Sequence, residues 1–375
     1  MRILICSNAP WAATGYGNQT KLFAPRFKAA GHEVAIHAFY GLEGGILNWQ
    51  GMPVFPKAFH NFGQDIMSAH ASQFKADIVI TLIDAWVMEP QMYGPHVRWC
   101  PWFPVDMDRI PPPVLNKVVQ SFQPIVYSQS AGQLCAQAGL DVRYVPHGVD
   151  LNTYHSIDQR EARERAKLPQ DRFIVGMIAA NKGTPSRKAL PQSIMAFAEY
   201  RKRHPDLFLY MHTHKGTEQG GINIVELCAS LGLVEGQDYI CADTYGLALG
   251  YPDEQMNCIY NSFDVLLAAS MGEGFGIPIL EAQAAGVPVI AGDWTSMSEL
   301  TFNGISIPLG CAEKFWTPLG ACQYLPHIDA ITDAIRVAHK KKLPRERPPE
   351  VAAYGADEVM VNYWTPTLAE IAGRL

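Results

Sequence analysis

Glu273 and Glu281 bracket a glycine-rich stretch in MGEGFGIPILEAQAAGVPVIAG, residues 271–292. Gly274 and Gly276 allow a ligand to come close to the backbone. Ile279 and Leu280 begin a helical run that Gly286 ends. Amides at such a helix start favour an anion, for instance a diphosphate. Glu273 stands just before that start, where its carboxylate can accept hydrogen bonds from sugar hydroxyls. Glu281 lies about two turns further on, in reach of a second diol such as a ribose. Two carboxylates around an anion-receiving turn suit a nucleotide-sugar better than a bare nucleotide. A lone pair of acids at this spacing would more simply be a helix cap and an exposed helix residue. The enclosed GFGIPIL, following the buried run DVLLAAS, makes the pattern specific.

Three further groups can carry chemistry. Gly15 and Gly17, in the loop ATGYG after the first apolar run, permit backbone contact with phosphate or acceptor. They fit G-x-G, but Thr20 takes the place of a third glycine, so the dinucleotide fingerprint is incomplete. Asp106 and Asp108 in PVDMDRIPPPV form a D-x-D. Asp106 reads as an acceptor-side polar residue, with helix capping or a turn as the alternative. His212 and His214 in MHTHK share a strand face but lack a third ligand nearby, so polar residues at a strand end are the better reading. His147 in VPHGVD reads as a hinge-region hydrogen-bonding residue. Trp86 and Trp102 near Asp106 could shape an acceptor pocket or simply pack in a core.

These residues need elements to hold them. Apolar runs alternate with helical patterns through both halves. RILIC, ADIVITLID, VRWCPWFP and PIVYS read as strands in the first half, with a helix carrying Leu22, Phe23 and Phe27 and stopped by Gly31. VRYVPHG closes that series as a strand. The polar stretch from Asp150 to Gln170 reads as a connection. RFIVGMIAA, LFLYMHTH, DYICAD, DVLLAAS and VPVIAG then begin a second series. Helices are expected over residues 325–342 and 357–375. Strands this apolar, joined by helices, imply parallel sheets covered on both faces. A chain of 375 residues suits two such domains.

Composition narrows the function. A net charge of −6 supplies no global positive field for nucleic acid or anionic lipid. None of the eight cysteines forms a C-x-x-C pair, which points away from zinc and redox motifs and towards reduced, buried thiols of a cytoplasmic protein. MRILICSNAP fits a first buried strand and not a signal peptide. No uninterrupted apolar run is long enough to span a membrane.

EGFGIPILE, residues 273–281, resembles the signature of retaining GT-B glycosyltransferases, family 4 (glycosyl transferases group 1) in particular. VPHGVD at residues 145–150, IVGMIAANKGTPSRKAL and GDWTSMSEL at residues 292–300 agree in order. The resemblance implies two Rossmann-like, doubly wound parallel-sheet domains facing a central cleft. Residues 1–150 would form the acceptor-side domain and 151–355 the donor domain, with 356–375 a helix packing back towards the first. It implies that Glu273 approaches the transferred sugar, that Glu281 holds the ribose, and that Gly274, Phe275 and Gly276 meet sugar and phosphates. The family's usual arginine position holds Ala180 and Asn181 here, so the cationic role falls to Arg187 and Lys188, with Lys182 in reserve. Gly15 and Gly17 would close over the diphosphate, and Asp106 would stand where many relatives carry a histidine. No metal and no resident cofactor is implied, the nucleotide-sugar being a co-substrate. The acceptor stays open between glycan, lipid, small molecule and modified nucleic acid. A GT-B sugar-nucleotide epimerase, or a catalytically weak nucleotide-sugar-binding protein, are the alternative readings.

Overall fold

Apolar strands buried on both faces build each half of the chain. The structure, a computed structural model, describes all 375 residues and divides them into two units. Unit 1 comprises residues 1–150, 317–321 and 353–375, and unit 2 comprises residues 151–316 and 322–352. No helix is long and apolar enough to cross a membrane.

Unit 1 contains β1 (Arg2–Asn8), β2 (Glu33–Tyr40), β3 (Leu47–Trp49), β4 (Met52–Pro56), β5 (Ile78–Leu82), β6 (Trp99–Phe103), β7 (Ile125–Val126) and β8 (Arg143–Tyr144). They form one sheet in the order β3-β4-β2-β1-β5-β6-β7-β8. All pairings are parallel except β3 with β4. β5 and β6 are buried along their whole length, as a sheet covered on both faces requires. The chain order reverses between β1 and β5, so the loops after these two strands part company there. Such a switch point is where open α/β sheets receive ligands.

Several elements differ from the sequence expectations. Gly15 and Gly17 are not in a loop: they form the first turn of the helix Gly15–Ala29. Thr14 caps it, its Oγ1 accepting from the Gly17 amide at 3.0 Å and from Asn8 Nδ2 at 2.6 Å. That cap outweighs the low helix propensity of glycine. A Cβ on Gly17 would lie 2.3 Å from the Ala12 carbonyl oxygen, so its lack of side chain serves packing. The β3–β4 hairpin and the helix Gln64–Phe74 occupy a stretch with no element assigned from sequence. VRYVPHG yields only the two-residue β8. His147 is buried, stacked on Tyr127 at 4.0 Å and edge-on to Trp102 at 4.6 Å. Gln19 makes a double hydrogen bond to the junction backbone, both to Gly148 at 2.9 Å.

Unit 2 contains β9 (Phe173–Ile178), β10 (Leu207–His212), β11 (Tyr239–Cys241), β12 (Val265–Ala268), β13 (Val289–Gly292) and β14 (Gly304–Ile307). The order is β11-β10-β9-β12-β13-β14, with every pairing parallel. Its switch point lies between β9 and β12. An antiparallel pair, β15 (Ala312–Trp316) and β16 (Cys322–Pro326), follows. The helix expected over 325–342 therefore starts later, at Ile328, because Leu325 and Pro326 belong to β16.

Residues 357–375 are not one uniform helix. A π-helical turn, Met360–Trp364, separates Ala356–Val359 from Thr365–Ala372. It seats Trp364, fully buried, 4.9 Å from both Phe27 and Trp102 and 6.2 Å from Phe23. Arg143 pairs with Glu370, and Arg26 with Asp357, on the same unit. Truncating Trp364 to Ala should destabilise unit 1 by about 3–5 kcal/mol, read by denaturant unfolding. Trp364→Phe should recover about half of that loss; an Ala variant as stable as the parent would contradict this packing.

Candidate active site

Two loops leave the unit 2 sheet at its switch point. One follows β9 and carries Arg187 and Lys188; the other follows β12 and carries Ser270 and Glu273. They meet at the Glu273 carboxylate. Lys188 Nζ donates to its Oε1 at 2.5 Å, Ser270 Oγ to the same oxygen at 2.6 Å, and Arg187 Nη1 to Oε2 at 3.2 Å. Arg187 also donates to the Gly272 carbonyl, and the Met271 amide donates to the Arg187 carbonyl at 2.8 Å. Glu273 itself is only 7% exposed. Burial alone would raise its carboxyl. The charges of Lys188 and then Arg187, with hydrogen bonds from Lys188 and Ser270, outweigh burial and hold it at about 2. Lys188, Ser270, Glu273, Gly276 and Pro278 line one small pocket.

The turn between the glutamates is braced from behind. Ser296 Oγ donates to the carbonyls of Glu273 and Phe275, at 2.8 and 2.6 Å. Trp294 Nε1 donates to the Ser270 carbonyl at 3.1 Å, and the Glu273 amide donates to Thr295 Oγ1 at 3.2 Å. The Phe275 side chain is buried, anchoring the turn. Gly276 adopts φ +103° immediately before the helix Ile277–Ala284, a conformation few side chains tolerate.

Glu281 occupies a different environment. It is buried, not exposed, and its Oε2 accepts from Tyr260 Oη at 2.6 Å. Burial pushes the carboxyl up to about 7; hydrogen bonds from Tyr260 and Tyr154 pull it back only in part, and the charge of Asp253 adds to the rise. The rings of Tyr154 and Tyr260 meet edge to face at 5.8 Å.

Asn181, in the family's usual arginine position, is a buried staple. Its Nδ2 donates to the carbonyls of His214, Gly216 and Ile222, and its Oδ1 accepts from the Ile222 amide. Lys182 is exposed, its backbone bridging to Gly220. His212 is held by Tyr210 Oη at 3.1 Å, and burial lowers it to about 4. No three His, Cys, Asp or Glu side chains converge as a metal ion would need.

Gly15, Gly17 and Asp106 belong to unit 1. There Tyr16, between the two glycines, lies 3.4 Å from both Asp84 Oδ2 and Tyr127 Oη. Burial, then Tyr16, Asp84 and Asp106, push the Tyr127 hydroxyl well up. Asp84 and Asp106 thus gather at the carboxyl ends of β5 and β6. Trp102 is a core residue donating to the Val145 carbonyl at 2.8 Å, whereas Trp86 is exposed. Sequence reasoning missed Ser270, Ser296, Tyr260, Tyr154 and Asp84. Ser270 alone lies close to the motif in sequence, three residues before Glu273 in the same loop.

The Glu281 environment gives a pH signature. Its folded value of about 7 exceeds the reference 4.5, so the neutral acid's stabilising effect is full below 4.5 and lost as pH rises through 7. Glu281→Gln, which stays neutral, should gain up to about 3 kcal/mol on the parent between pH 5 and pH 8. Chemical denaturation at a series of pH values reads this; a pH-independent difference would oppose it.

Residues 241–318 match the model for glycosyl transferases group 1. The D-inositol 3-phosphate glycosyltransferase of Nocardia farcinica is 28% identical over 184 residues, 47% of this chain and 38% of that relative. The chain thus matches well under half the length of that curated relative. Among solved structures, sucrose-phosphate synthase from Thermosynechococcus elongatus superposes with a TM-score of 0.71 at 14% identity, covering 100% of this chain and 98% of its own. Anabaena HepE in complex with UDP-glucose gives 0.71 at 16% identity, covering 100% of both chains. The chain therefore has the GT-B fold, with a group 1 glycosyl transferase segment at residues 241–318.

Proposed function

We propose that this chain transfers a sugar from a nucleotide-diphosphate sugar to an acceptor, with retention of configuration and without a metal ion. The single observation that carries this reading is the meeting of Lys188, Arg187 and Glu273 beside the helix start at Ile277. As the glycosidic bond breaks, the leaving diphosphate gains negative charge. Lys188, Arg187 and the helix amides are positioned to stabilise it, which is the role a metal fills in other sites. Glu273, kept ionised by the same cations, accepts from the sugar hydroxyls and fixes the ring over the diphosphate. Glu281, lodged against Tyr260 and Tyr154, accepts from the ribose hydroxyls. The Anabaena relative in complex with UDP-glucose and the group 1 segment support the donor class. Eight free cysteines suit a reducing cytoplasm, where we place the protein.

Thermal shifts against a panel of nucleotide-sugars test the donor reading. Binding should survive EDTA unchanged, and a shift abolished by chelation would overturn metal independence. Glu281→Ala should weaken donor binding about tenfold or more. Glu273→Ala should lower kcat by about 10²–10³ while donor affinity changes far less. Parental donor affinity in the Glu281 variant would refute the ribose assignment. NMR of the product's anomeric proton distinguishes retention from inversion.

A further inference from the structure

Trp294, Thr295 and Ser296, three consecutive residues after β13, all bond to the loop that carries Glu273. Trp294 Nε1 donates to the Ser270 carbonyl at 3.1 Å, and Thr295 Oγ1 accepts from the Glu273 amide at 3.2 Å. Ser296 Oγ donates to the carbonyls of Glu273 and Phe275 at 2.8 and 2.6 Å. An extended chain sends successive side chains to opposite faces, and a helix turns each one about 100° from the last. Neither backbone aims three neighbours in a row at one loop. Thr295 does so by adopting φ +55° and ψ −148°. A positive φ with such a ψ belongs essentially to glycine, and a β-branched residue tolerates it badly.

Strain of this kind persists only where the surroundings enforce it, and it gathers at functional sites. Two simpler reasons for a threonine here fail. Thr295 directly precedes the helix Ser296–Leu300, where a threonine hydroxyl ordinarily caps the first amides. Its side chain makes no such bond. Packing does not demand it either, since Thr295 is only partly buried between the buried Trp294 and Ser296. Glycine would adopt the same backbone without strain. What glycine lacks is the hydroxyl.

That hydroxyl donates its proton to the Trp294 carbonyl at 2.7 Å, which leaves its lone pairs to the Glu273 amide. Thr295 thus takes the amide of Glu273 and Ser296 takes its carbonyl, so the backbone of this one residue is held on both sides. The next residue, Gly274, has no side chain to restrain the chain. Without the hold from Thr295, the Glu273 backbone could rotate and carry its carboxylate away from Lys188 and Arg187. We propose that Thr295 is a positioning residue of this site: its hydroxyl, carried by a backbone that glycine would adopt more easily, holds the Glu273 amide and so sets where that carboxylate stands against a bound sugar. The assignment rests on the transferase reading above, and adds to it a residue that acts through Glu273.

Three variants of the full chain separate the hydroxyl from the strain. Thr295→Ser keeps both, Thr295→Ala loses the hydroxyl and keeps the strain, and Thr295→Gly loses both. Calorimetry should find Thr295→Gly melting about 2–8 °C above Thr295→Ala. Hydrogen exchange at the Glu273 amide, read by NMR, should be about tenfold faster than in the parent for Thr295→Ala and Thr295→Gly, and parental for Thr295→Ser. Nucleotide release from UDP-glucose, UDP-galactose, UDP-N-acetylglucosamine and GDP-mannose reads transfer to water with no acceptor added. On a donor that the parent consumes, kcat should fall about five- to tenfold in Thr295→Ala and Thr295→Gly, with KM within about threefold. Thr295→Ser should keep the parental rate. A merely structural threonine would let activity follow stability, so that Thr295→Gly outperformed Thr295→Ala. That outcome overturns the proposal, as does parental exchange at Glu273 in Thr295→Ala. A parent that consumes none of the four donors, with exchange changing as expected, overturns the transferase reading and leaves Thr295 as the residue that holds Glu273.

Discussion

A carboxylate buried to 7% exposure would normally take up a proton or force the surrounding chain apart. Glu273 does neither, because two loops separated by most of a domain in sequence deliver a lysine, an arginine and a serine hydroxyl to it. Those loops meet only because β9 and β12 are neighbours in a sheet whose order reverses between them. The alignment of β9 with β12 therefore decides the electrostatics of the site. Gly176 shows how tight that alignment is. A Cβ there would lie 2.2 Å from the Phe263 ring, which packs under the same pair of strands.

The two glutamates of one short motif end in opposite regimes. Cations hold Glu273 at about 2, while tyrosine hydroxyls leave Glu281 at about 7. Burial penalises both charges equally in kind. What separates them is whether a full positive charge or only a dipole faces the carboxylate. The first setting keeps a carboxylate anionic at neutral pH. The second leaves it close to half protonated there.

Much of the fold was legible because its strands are apolar throughout and end in glycine or polar turns. The alternation alone indicates two parallel sheets. The β3–β4 hairpin escaped because its tight turn uses Gln50 at φ +51° beside Gly51, and glutamine carries no turn signal. Gly15 and Gly17 suggested a loop because glycine is a poor helix former, and the Thr14 cap that reverses this is a single hydroxyl. At the site, the E-x7-E acids stood out by local spacing. Tyr260 and Tyr154 did not, since their approach to Glu281 is set by how the helix Asp253–Ser262 packs on its neighbours. Nor was the part played by Asn181 visible in sequence: it makes four hydrogen bonds that shape the loop over residues 214–222.

The seat of Trp364 bears on how the chain assembles during synthesis. Residues 353–375 complete the core of unit 1, but they leave the ribosome after all of unit 2. The early half must therefore wait, its Phe23, Phe27 and Trp102 faces open, while the later half folds as an almost continuous stretch. For a nascent chain this inverts the usual order of amino-terminal domain first. The interval of exposure is set by the time taken to translate residues 151–352, at about 5–20 residues per second.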